Sequence, residues 1–134
     1  MDAVGVGLYD DVKRDAEPLD VDAEIEFIRK NKDKIIAIGE VGLDKLPEQP
    51  KIDEQKEVFW KVIKLAEEIK KPLVVHTRKA EREAIEILES SKLKNVVLHC
   101  FTGNLKLVKK AEDLVRATCI KLCWLDARCL RSLS

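Results

Sequence analysis

The sequence predicts an α/β fold of repeated βα units around a parallel sheet, and three observations carry that expectation. Short apolar runs recur at residues 3–8, 35–38, 73–75 and 96–98; each is continuous rather than alternating; and charged stretches of helical periodicity separate them. Continuous apolar runs suit strands buried on both faces, and parallel strands need crossovers, usually helices, that cover those faces. Doubly wound sheets and (β/α) barrels share this pattern, so periodicity leaves the choice between them open.

The elements follow in order. After the first strand, residues 22–31 form a short helix with Ile25 and Ile28 on one face, leading into the strand at 35–38. The clearest helix spans 53–69, where Val58, Val62, Leu65, Ala66 and Ile69 recur at three- and four-residue spacing and Asp53 is placed to cap the start. Behind the strand at 73–75, residues 80–89 set Ala84, Ile85 and Leu88 on one stripe. Behind the strand at 96–98, residues 105–114 do the same with Val108 and Ala111. Residues 1–114 therefore read as one domain of about four βα units. From residue 115 the text changes: VRATCIKLCWLDARCLRSLS holds three of the four cysteines and one of the two tryptophans but no glutamate. Residues 115–134 are expected to form a divergent, irregularly packed tail.

Composition excludes several classes. Lys+Arg and Asp+Glu both number 25, so no overall basic field draws nucleic acid, and any DNA contact must come from a local patch. No apolar run approaches the roughly 20 residues of a membrane-spanning helix, and the first residues lack a basic-then-apolar leader pattern, so the expected compartment is the cytoplasm. Cys119, Cys123 and Cys129 form no CxxC pair, and Cys100 beside His99 has the character of a small apolar residue; all four read as reduced, incidental thiols.

The chemistry-bearing residues stand out by position. Glu40 follows the second apolar run by one glycine, while His76 and His99, the only two histidines, directly follow the third and fourth. The carboxyl ends of parallel strands are where such folds place ligands and catalytic groups. One glutamate and two histidines converging there offer oxygen and imidazole donors for a divalent metal ion, Mg, Mn or Zn. Arg78 is placed either to hold a phosphate bidentately or to sit solvated at a helix start. Asp44 is a candidate to orient a ligand by hydrogen bonding.

Three strings then carry a resemblance: IAIGEVGLD (36–44), PLVVHTRKA (72–80) and VVLHCFTGN (96–104), with EQKEVFWKVIKLAEEIKKP (54–72) between the first two. In order and spacing they resemble successive signatures of the TatD-type metal-dependent hydrolases. The resemblance covers about residues 1–114 and implies a partial (β/α)8 barrel whose members are metal-dependent DNases, with DNA as substrate. It implies that Glu40 is both metal ligand and catalytic residue, that His76 and His99 are metal ligands, and that Arg78 assists phosphate binding. Relatives also carry a His-x-His pair on a first strand, a His-Pro near the position of Tyr9-Asp10, and a late Glu-Thr-Asp-like string, none of which occurs here. A full barrel takes about 250 residues, so the expectation is half a barrel, truncated at both ends, with doubtful turnover. Two alternatives stay open: an amide or ester hydrolase on the same barrel, or a non-enzymatic half-barrel whose open sheet edges pair with a second copy.

Overall fold

The computed structural model describes residues 2–4, 20–99, 101–118 and 121–123. Strand β1 is Asp2–Val4, and helix α1, Val21–Lys30, starts at Asp20, whose carboxylate accepts the Ala23 N–H at 3.0 Å. That bond satisfies one of the amides a helix start leaves unpaired. Ile25 and Ile28 face the core as the periodicity requires. A single 3-10 turn then delivers the chain to β2, Ile35–Asp44.

Helix α2 is Ile52–Ile69. Asp53 does not cap it: Lys51 holds the cap position without a side-chain hydrogen bond, and Asp53 lies in the first turn, where its charge complements the helix dipole. The buried stripe runs through Gln55, Phe59, Val62, Ile63, Leu65 and Ala66, with Val58 and Ile69 at its margins. Strand β3 (Leu73–Arg78), helix α3 (Glu81–Glu89), strand β4 (Val96–His99) and helix α4 (Leu105–Thr118) complete the alternation. The boundary expected at residue 114 falls inside α4, and a further strand, β5 (Lys121–Cys123), pairs in parallel with β4. Residues 5–8 of the first predicted strand, Tyr9-Asp10, Cys100, Cys119, Cys129 and the tail from 124 onward lie outside the described residues.

All the described strands pair in parallel and in chain order, β1-β2-β3-β4-β5. This order settles what periodicity left open. A doubly wound sheet reverses its direction of growth at a switch point, whereas right-handed crossovers that always step to the next strand carry successive helices to one face and curl the sheet. The sheet is an arc of a (β/α) barrel. Helices on its outer face are tied side by side. Arg29 of α1 grips Glu68 of α2 with two hydrogen bonds of 2.8 and 2.9 Å, and Lys110 of α4 lies 3.6 Å from Glu89 of α3. The Arg29 hydrogen bond holds the Glu68 carboxyl below its usual range. The stabilisation from this exposed pair is therefore present above the ordinary carboxylate range and lost as pH falls through the lowered value.

Phe59, Val62 and Ile63 from α2, Ile85 from α3, and Ile38, Val41, Leu43, Leu73, Val75 and Leu98 from the strands are essentially inaccessible to solvent. This core fixes β2, β3 and β4 against one another and therefore fixes what stands at their carboxyl ends.

Candidate metal centre

Strand β2 extends six residues beyond the apolar run that announced it, because GEVGLD continues the ladder with β3. The register slips between Ile38 and Val41, an irregularity of the kind that re-aims side chains near functional sites. Gly39, at φ 149°, sits in that slip. A Cβ there would lie 2.7 Å from both the Cβ and the carbonyl oxygen of Val74, so only glycine lets β2 and β3 approach this closely. Glu40 does not follow the strand as the apolar run suggested: it lies at the slip within β2, four residues before the strand's end at Asp44. His76 and His99 stand side by side because they are register partners across β3 and β4.

The three predicted ligands do meet. Glu40 Oε1 lies 3.4 Å from His99 Nε2 and 4.0 Å from His76 Nδ1. That oxygen is buried and, among the described residues, accepts no hydrogen bond, although the rest of the Glu40 side chain is 42% exposed. A buried carboxylate oxygen without a partner is costly. Facing two imidazole nitrogens, it has the chemistry of an atom waiting for a shared cation.

Spacing tests that fit. A tetrahedral ion with bonds near 2.1 Å holds its ligand atoms about 3.4 Å apart. Glu40 Oε1 and His99 Nε2 already have this separation, while His76 Nδ1 stands farther out. Among the described residues no three His, Cys, Asp or Glu side chains are yet arranged to hold a metal ion. The donor set and the orphaned oxygen fit a divalent cation, and His76 is the donor that must draw in.

Asp44, the residue expected to orient a ligand, stands beside His76. It is 3% exposed; Oδ1 accepts the Leu46 N–H at 2.9 Å and Oδ2 stands 3.3 Å from His76 Nε2. A carboxylate at Nε2 favours the tautomer protonated there, which leaves the Nδ1 lone pair facing Glu40. Arg78 is exposed two residues beyond His76 and, among the described residues, has no carboxylate within ion-pair distance.

Two buried polar residues near the site's strands escaped the sequence reading. Gln55, 2% exposed on α2, accepts the Asp44 N–H at 2.7 Å and donates to the carbonyls of Asp44 and Pro50 at 2.7 and 2.6 Å, clamping the end of β2. Its signal was a polar residue one turn before Phe59 on an otherwise apolar stripe. Thr77 is 2% exposed and its hydroxyl has no hydrogen-bond partner among the described residues; no sequence feature marked it.

The chain is 38% identical over 101 residues to human deoxyribonuclease TATDN3, an alignment covering 72% of this chain and 37% of that protein. It is 39% identical over 84 residues to an uncharacterized metal-dependent hydrolase of Methanocaldococcus jannaschii, covering 63% and 32%. The chain thus spans about a third of the length of these relatives. The crystal structure of YJJV, a TatD homologue from Escherichia coli, superposes with a TM-score of 0.64 at 24% identity over 69% of this chain and 38% of that one, which supports the fold. The family model described as TatD related DNase matches residues 5–123, nearly the whole sequence, and the chain belongs to that family.

Proposed function

We propose that this chain carries part of the metal centre of a cytoplasmic, TatD-type hydrolase of DNA phosphodiester bonds, with Glu40, His76 and His99 as ligands to one divalent cation, Mg, Mn or Zn. The observation that carries the reading is the buried Glu40 oxygen, unpartnered and set between two imidazole nitrogens. When bound, such an ion lowers the pKa of its water and offsets charge on the leaving oxygen. The chain's own residues supply the rest. Asp44 holds His76 in the binding tautomer, the irregular β2 backbone fixes Glu40, and exposed Arg78 is free to approach a phosphate from the same sheet end. Among the described residues no helix is long and apolar enough to cross a membrane. Among the described residues β1 and β5 are the outer strands of the sheet, and their outer backbone groups would be where a second copy of the chain pairs.

Within the sequence given, His76 and His99 are the imidazole donors, and this chain on its own is expected to bind an ion more readily than it turns over substrate. Calorimetric titration with MnCl2 is expected to show weak binding that falls at least about tenfold in His76→Ala/His99→Ala, a loss of about 1.4 kcal/mol. A nuclease assay with Mg or Mn is expected to show little DNA cleavage. Metal affinity indifferent to both histidines would overturn the ligand assignment. Robust cleavage lost in Glu40→Ala would overturn the separation of binding from turnover.

A further inference from the structure

We propose that the opposite, amino-terminal end of the sheet carries a second site, a cleft for a small oligophosphate anion lined by Lys70, Lys71, Lys92 and Lys94. Parallel pairing creates it. Lys70 and Lys71 lead into β3, Lys92 and Lys94 lead into β4, and these strands start side by side with Leu73 against Val96. The cleft between α2 and these two lead-in segments measures about 390 Å³. That lies at the small end of the roughly 300–1,000 Å³ typical of small-molecule sites. Buried Ala66 and Leu93 form its apolar floor, and exposed Asn95 adds an amide donor.

Charge is the informative feature of a chain whose net charge is zero. Four lysines face one acid, Glu67, and that acid is already engaged. Its Oε1 accepts the Lys92 N–H at 2.7 Å and its Oε2 accepts Lys64 Nζ at 3.0 Å. Burial pushes the Glu67 carboxyl up, but these bonds outweigh it and hold the group below its usual range, so it stays ionised. Among the described residues no carboxylate lies within ion-pair distance of any of the four ammonium groups. Like charges gathered around one concavity repel, and an anion carrying several charges relieves that repulsion at several points together.

Lys70 ends α2 in the left-handed conformation, φ 57°, where glycine is the usual residue because it has no Cβ to clash. Replacing this lysine by glycine therefore removes a charge from the cleft without straining the backbone. A cleft of about 390 Å³ suits a short, flexible phosphate chain better than a DNA duplex, whose width is greater. This site lies at the other sheet end from His99 and stands or falls separately from the metal centre.

The test is titration of the full chain with sodium tripolyphosphate in metal-free, low-salt buffer. Single-site binding is expected, weakened at least about tenfold in Lys70→Gly/Lys94→Ala and less than about twofold in Lys106→Ala/Lys109→Ala, which removes the same charge from the exposed face of α4. Lys70→Gly alone should raise the melting temperature of the free chain while lowering the rise that tripolyphosphate gives, opposite signs that a purely structural lysine would not produce. Equal losses in the two double variants, an undetectable heat with wild type, or tighter binding of a duplex oligonucleotide than of tripolyphosphate would each overturn the proposal.

Discussion

Gly42→Ala is expected to destabilise the chain by about 3 kcal/mol or more, at the top of the range for overpacked cores. Gly42 is the register partner of His76, and a Cβ on it would fall inside the van der Waals surface of the His76 carbonyl oxygen. That obstacle is backbone in a central strand, unable to rotate aside as a side chain would. Relief requires parting β2 from β3 between Glu40 and Asp44, which breaks ladder hydrogen bonds and pulls His76 away from both carboxylates. Urea denaturation would read the loss as a lower midpoint, and metal titration of the fraction that stays folded would read weakened affinity. An unchanged midpoint would show that the two strands are farther apart than this packing describes.

The same glycines explain what was and was not legible in the sequence. The second apolar run stops at Ile38 because Gly39, Glu40 and Gly42 interrupt it, yet β2 continues to Asp44. Residues chosen for close backbone approach carry no hydrophobic signal, so periodicity cannot register them. Helix α4 passes the expected end at 114, and β5 is three residues long, too short to stand out in a sequence. By contrast the meeting of His76 and His99 was legible, because parallel strands bring their carboxyl ends to one place whatever the details of packing, and Glu40 reaches them from within β2, four residues before its end. The roles of individual atoms were not legible. That Nδ1 of His76 faces Glu40 while Nε2 faces Asp44, and that Gln55 clamps the Asp44 backbone, are consequences of side-chain packing between residues 36, 32 and 11 positions apart in the chain.

Those atomic roles yield the second large effect: Asp44→Asn is expected to weaken divalent-metal binding by about 10- to 100-fold, the usual range for removing a ligand's orienting partner. The substitution preserves shape but changes hydrogen-bond polarity. Asp44 Oδ1 accepts from the Leu46 N–H at 2.9 Å while Oδ2 faces His76 Nε2 at 3.3 Å. An asparagine keeps the shorter bond by turning its carbonyl toward Leu46, which leaves its NH2 pointing at Nε2. Two donors cannot face each other, so the imidazole adopts the tautomer protonated at Nδ1. That nitrogen would then donate toward Glu40 Oε1, satisfying the orphaned oxygen with a proton and removing the lone pair a cation needs. Nitrogen-15 NMR should place the His76 proton on Nε2 in the wild type and on Nδ1 in Asp44→Asn, and MnCl2 titration should show the accompanying fall in affinity. A purely structural role for Asp44 would lower stability without exchanging the two nitrogen signals. Unchanged tautomer with unchanged affinity would remove Asp44 from the site.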